Sequence, residues 1–180
     1  MRLYLFLLLI ITFFTACGNN NQLSIKQKQL SIKADSASRQ KFKTLEFMID
    51  NKPALAIIDT RYQDFKEKKE FSLSLFITIN TLDKDKNGHP TKKESEAYSF
   101  LETDVIKELD QKIISAFIGR TTMNSYRDLI FYIKPSDQKK VSDLLTGLQK
   151  KHSRIKEFVF ENDPEWVAVA DFYTAIEKVK

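Results

Sequence analysis

A run of apolar residues from Leu3 to Phe14 ends just before Cys17, the single cysteine of a 180-residue chain. That arrangement limits the fold in two ways. One cysteine permits no intramolecular disulfide, so the folded part must be held by its core alone. The run is also too short to cross a hydrocarbon layer of about 30 Å, which takes roughly 20 apolar residues. It is apolar all round, whereas a core helix of a soluble protein carries one apolar stripe. With Arg2 ahead of it and Thr15-Ala16 behind it, the run has the positive start, apolar centre and small-residue end of a secretion signal.

The stretch Phe14-Thr15-Ala16-Cys17-Gly18 resembles the lipobox of bacterial lipoproteins, with Phe14 where Leu is usual. The resemblance implies cleavage ahead of Cys17, a thioether diacylglycerol on its sulfur and often a third acyl chain on its amine. One acyl chain binds a membrane marginally, whereas two or more hold it firmly. Residues 1–16 are therefore expected to be a lipoprotein signal peptide and Cys17 the lipidation site. The mature protein is expected in the bacterial cell envelope, anchored to a membrane and facing away from the cytoplasm.

Cleavage would lower the formal charge from +5 to +4, because Arg2 is the one charged residue in 1–16. The remaining Lys and Glu are interspersed, unlike the one-sided Lys/Arg clusters of nucleic-acid binders. Residues 17–40 begin Cys17-Gly18-Asn19-Asn20-Asn21-Gln22 and continue polar, apart from the pairs Leu23/Ile25 and Leu30/Ile32. They read as a flexible tether. Residues 41–180 are one domain's worth of chain, and most of the 14 Phe lie there.

Within that domain, Leu45, Phe47 and Ile49 alternate in a strand over 43–50. Asn51-Lys52-Pro53 reads as a turn, and 54–60 as the second strand of a hairpin. Residues 61–70 are charged and read as a short helix or a loop. Phe71, Leu73, Leu75, Ile77 and Ile79 fall on one side of a strand, with Phe76 interrupting the polar side. Thr91 and Glu94 have the spacing of a capping box, and Tyr98, Leu101, Val105 and Leu109 form the stripe of the helix that follows. Residues 113–120 are apolar on both faces, as in a central strand. Met123-Asn124-Ser125 reads as a turn before a strand over 126–134. Ser136 is expected to cap a second helix with stripe Val141, Leu144, Leu145 and Leu148. A strand over 154–161 and a short helix with Trp166, Val169, Ala170, Tyr173 and Ile176 complete the chain, with Pro164 in the helix's first turn. The order predicts an α+β fold: a ferredoxin-like β-α-β-β-α-β sandwich, helices on one sheet face, with an N-terminal β-hairpin and a C-terminal helix added.

Four stretches, in order, are similar to the motifs of the family named domain of unknown function 695 (DUF695). They are Asn87-Gly88-His89-Pro90-Thr91, Phe117-Ile118-Gly119-Arg120-Thr121-Thr122, Arg127-Asp128-Leu129-Ile130-Phe131-Tyr132 and Asp163-Pro164-Glu165-Trp166. His89 departs from the apolar residue usual there. The resemblance covers roughly 71–175 and implies no activity. Its second half also resembles ferredoxin-like regulators of ribonuclease activity, which work in the cytoplasm, a compartment the export signal argues against.

Asp83-Lys84-Asp85-Lys86-Asn87-Gly88, with Glu94 beyond, matches the ligand pattern of an EF-hand loop, and Thr91 takes its ninth place. Asp83, Asp85, Asn87 and Glu94 are the candidate Ca²⁺ ligands. Against them stand the strand in place of an entering helix, Pro90, and Lys84, Lys86, Lys92 and Lys93. The plainer reading is a turn leading into a capped helix, with no cofactor. Arg120 and Arg127 flank a turn and could bind an anion through their guanidinium forks; the alternative is cross-strand pairing with Asp128 or a Glu. His89 is expected exposed in its loop. His152 is expected to complement a helix C-terminus, and adjacent residues such as His152 and Ser153 rarely form a base–nucleophile pair. No catalytic constellation stands out. The expected function is a non-enzymatic binding or interaction module with a protein partner in the envelope; a calcium-binding domain and a hydrolase are the alternatives.

Overall fold

The computed structural model describes residues 42–86 and 88–178. Cys17, the signal segment, the tether over 17–40 and Asn87 lie outside the described residues.

Strands β1 (Phe42–Ile49) and β2 (Lys52–Asp59) pair antiparallel across a two-residue turn. Asp50 and Asn51 both take positive φ there, at 50° and 60°. That is the I′ geometry whose twist suits a hairpin, and Asp and Asn tolerate it. The expected turn at Asn51-Lys52-Pro53 is therefore displaced: Lys52 and Pro53 already belong to β2. Pro53 is accommodated because the β2–β4 ladder starts only at Leu55, so no missing N–H falls within it. The segment after β2 is a short 3₁₀ turn, Thr60–Tyr62, followed by further turns.

Next come β3 (Leu73–Asn80), α1 (Lys92–Lys112), β4 (Ser115–Met123), β5 (Tyr126–Ile133), α2 (Gln138–Lys151), β6 (Ile155–Asn162) and α3 (Val167–Lys178). The β4–β5 turn repeats the β1–β2 solution, with Asn124 and Ser125 at φ 45° and 76°. The strands form one sheet in the order β1-β2-β4-β5-β3-β6, every neighbour antiparallel. The fold is thus α+β, a six-stranded antiparallel sheet with three helices among the described residues. β5 lies between β3 and β4, and β3 lies between β5 and β6, so both β-α-β units are split. The hairpin extends the sheet beyond β4.

Both faces of the sheet are covered. On one, Leu73, Leu75, Ile77 and Ile79 of β3 and Leu129, Phe131 and Ile133 of β5 meet Tyr98, Leu101, Val105 and Leu109 of α1. Val141, Leu145 and Leu148 of α2 complete that core, with Leu144 partly buried beside it. On the other face, Ala56, Ile58, Ala116, Ile118, Ile130 and Tyr132 meet Tyr62, Phe71, Trp166 and the α3 residues Val169, Tyr173 and Ile176. The two helices of the β-α-β-β-α-β unit, α1 and α2, share one face, and the added C-terminal helix α3 with the 60–72 segment forms a second layer on the other. Phe71, expected to share the side of Leu73, precedes the strand and packs into this second core. Phe76, which interrupts the polar side of β3, does so because that side is covered too.

Three local expectations also change. Pro135–Asp137 forms a 3₁₀ turn, and α2 begins after it with Asp137 at the N-cap and no side-chain cap; Ser136 is not the cap. Trp166 precedes α3 in the left-handed region, φ 59°, and Pro164 lies ahead of the helix as well. Ala170 is exposed. The start of α3 is held by Asp163, whose carboxylate accepts the N–H groups of Val167 at 2.8 Å and Ala168 at 3.0 Å. It also accepts the Tyr132 hydroxyl at 2.6 Å. Trp166 Nε1 donates to the Phe71 carbonyl at 2.9 Å, so both polar ends of this buried aromatic group are satisfied.

Candidate functional site

The loop between β3 and α1 is a tight ribbon. Lys84 bridges Pro90, and Asp85 N–H donates to the His89 carbonyl at 2.8 Å. Gly88 takes φ 82°, which suits a residue without a Cβ. The carboxylates are engaged by protein donors. Asp83 accepts the Thr91 hydroxyl at 2.7 Å, and Asp85 accepts the His89 N–H at 2.9 Å.

Glu94 is buried at 2% exposure. Arg154 approaches it from Nε at 3.0 Å and Nη2 at 3.1 Å, and Leu82 N–H donates to it at 3.0 Å. The Arg154 bond is the main cause that holds the Glu94 carboxyl below its ordinary range. The capping box is thus half made: Thr91 Oγ1 accepts Glu94 N–H at 3.3 Å, but the Glu94 carboxylate turns to Arg154. Among the described residues no three His, Cys, Asp or Glu gather where a metal could be held. Asp83, Asp85 and Glu94 do not converge, so as placed they do not fit a Ca²⁺ ion. His89 is half-buried rather than exposed and lines a groove of about 380 Å³ with Glu46, Met48, Pro53 and Leu55.

Arg120 of β4 and Arg127 of β5 do come together, and what joins them is Glu102 of α1. Arg120 Nη1 lies 2.6 Å from one carboxylate oxygen and Arg127 Nη1 3.9 Å from the other. Arg127 Nε donates to Thr122 Oγ1 at 3.0 Å, and its guanidinium sits 4.4 Å from the centre of the Tyr98 ring. Register explains the meeting, since Thr122 is the cross-strand partner of Arg127 and such partners share a face. Tyr98 and Glu102 stand one helical turn apart on α1. Cross-strand pairing with Asp128 does not occur; Asp128 accepts the Thr78 hydroxyl at 2.7 Å. Glu102 lies beside the helix stripe, four residues after Tyr98, and that spacing is the one feature of the sequence that sets it near the sheet.

A cleft of about 500 Å³ lies between α1 and the end of α2, lined by Phe100, Asp104, Lys107, Lys151, His152 and Ser153 among others. His152 Nε2 is 2.7 Å and Lys151 Nζ 2.6 Å from the same Asp104 oxygen. These bonds, Lys151's first, hold the Asp104 carboxyl low. His152 is the C-cap of α2, as expected, with its N–H on the Leu148 carbonyl. Its partner is far away in sequence and carries no periodic signal. Phe100, 81% exposed, stands at the rim.

A sequence model described as a family of unknown function (DUF695) matches residues 40–173. No curated protein and no solved structure matches the chain. The match runs from the start of the hairpin into α3, so the hairpin is part of the family domain. The four family-like stretches fall at the α1 cap, at Gly119 and Arg120 of β4, along β5, and at the Asp163–Trp166 turn. Covering most of the chain, the match places this protein in the DUF695 family.

Proposed function

We propose that the protein is a lipid-anchored lipoprotein of the bacterial envelope whose DUF695 domain is a non-enzymatic binding module for an envelope partner. One observation carries the reading: the only cysteine follows an apolar run and Thr15-Ala16. Two others fit it. The family match begins at residue 40, which leaves 17–39 as a spacer between membrane and domain. The carboxylates Glu94, Glu102 and Asp104 are each bonded to basic side chains rather than set against a nucleophile. The +4 mature charge is spread among Lys and Glu, which gives nucleic acid no basic face.

The test is membrane fractionation of the wild type and Cys17→Ser. The wild type should sediment with membranes and the variant should not. A variant that remains membrane-bound overturns the anchor.

A hydrolase reading has one observation in its favour, the Asp104–His152 contact at 2.7 Å beside Ser153. No hydrogen bond joins Ser153 to His152 among the described residues. Labelling by a fluorophosphonate probe, lost in Ser153→Ala, would favour this reading over the binding module.

A further inference from the structure

Arg120, Arg127 and Glu102 bring two cations to one carboxylate. Their side chains are 25%, 11% and 14% exposed, so this imbalance of one positive charge lies in a largely desolvated place. Charges there are screened far less than on the surface. Burial pushes the Glu102 carboxyl up although both guanidiniums pull it down. Burial, then the charge of Arg120, pulls Arg127 down. A pair held purely for stability would balance its charges, because an uncompensated buried cation costs free energy.

The hydrogen bonds are unbalanced in the same direction. A guanidinium carries five N–H donors. Arg120 uses Nη1 on Glu102, and Arg127 uses Nε on Thr122. Arg120 Nε is buried without a partner. The Nη1 of Arg127 is 3.9 Å from Glu102, beyond hydrogen-bond reach. The surroundings also suit a ligand. Leu55 and Ile57 of β2, the cross-strand partners of Thr122 and Arg120, are half-buried. Leu55 continues into the groove with Met48, Pro53 and His89.

We propose that Arg120 and Arg127 form an oxyanion-binding site, with Glu102 as an internal stand-in that the ligand joins or displaces. The ligand class is a carboxylate or phosphate monoester, whose oxygens match guanidinium forks; an adjoining apolar part would lie along Leu55 and Met48. The site does not depend on the lipid anchor.

Full-length protein in detergent, titrated with inorganic phosphate and separately with acetate against chloride at equal ionic strength, provides the test. Isothermal calorimetry and backbone NMR shifts serve as readouts. Saturable binding of phosphate or acetate is expected, with the NMR shifts centred on Thr122 and Arg127. The stronger of the two identifies the ligand's anionic group. Arg120→Gln and Arg127→Gln should abolish binding. Glu102→Gln removes the competing carboxylate and should tighten binding by about tenfold, equivalent to 1.4 kcal/mol. This gain separates a ligand site from a merely structural ion pair, for which Glu102→Gln would bring no affinity. Binding no stronger than chloride in both wild type and Glu102→Gln overturns the proposal. So does equal binding by either arginine variant that keeps its fold.

Discussion

Tyr132 lies flat against Trp166, with ring centroids 4.0 Å apart and planes 14° apart. The phenol at one end of this stack bonds Asp163, and the indole N–H at the other bonds Phe71. The stack ties β5, the α3 start and the segment before β3 into one unit. Trp166→Ala should cost about 3–5 kcal/mol, the range for emptying a buried aromatic site. Tyr132→Phe keeps the ring and removes one hydrogen bond to a carboxylate, so about 1.5–3 kcal/mol is expected. Urea melts followed by circular dichroism would show both, and a loss for Trp166→Ala no larger than for Tyr132→Phe would contradict the packing account.

Gly119 sits at a register shift in the β4–β5 ladder with φ 147°. A Cβ there would lie 2.0 Å from the Ile57 carbonyl oxygen. Neither backbone can yield without parting β2 from β4, so Gly119→Ala should destabilise by about 1–3 kcal/mol. The hairpin should be affected first. Faster amide exchange in β1 and β2 than in β3 is the expected readout, and uniform exchange would argue against a local clash.

Strand alternation and helix stripes made β3, α1, α2 and the order of elements legible in the sequence. Those signals record burial, which each segment carries by itself. The two-residue turns at Asp50-Asn51 and Asn124-Ser125 were displaced by a residue or two, since Lys52 and Met123 look like turn neighbours but pair as strand. The second core was hidden because Phe71 and Trp166 lie outside regular elements. At the site, Arg120 and Arg127 stood out as paired cations. Glu102 did not, because its role depends on which helix face meets β4. The Asp104–His152 contact was invisible for the same reason: tertiary packing alone joins them.

The Glu94–Arg154 pair predicts how the domain responds to acid and to calcium. The Glu94 carboxyl is held below its ordinary value of 4.5, chiefly by the Arg154 bond. A carboxylate with a lowered folded-state pKa contributes stability that is present above that ordinary value. The contribution is lost as pH falls through the folded-state value. Thermal melts should therefore fall as the pH drops below that ordinary value, and more in the wild type than in Glu94→Gln. Calcium at millimolar concentration should leave the melting temperature where chelator leaves it. A specific ligand at one hundred times its dissociation constant would add about 2.7 kcal/mol. A rise of that size, lost in Asp83→Ala, would contradict the geometry of the loop.

The family match begins at residue 40. A chain of residues 41–180 should fold and stay soluble without the first 40. A cooperative thermal transition with mixed helix and strand circular dichroism is the expected result. An unfolded spectrum would mean that the 17–40 segment contributes to the core.

The central claim is that this domain hangs from a lipid on Cys17, and the mass of the mature N-terminus tests it most directly. Protein from native membranes, digested and analysed by mass spectrometry, should yield an N-terminal peptide beginning at Cys17 with the added mass of a diacylglycerol. A chain that still carries Leu3–Phe14, or an unmodified Cys17, would contradict it.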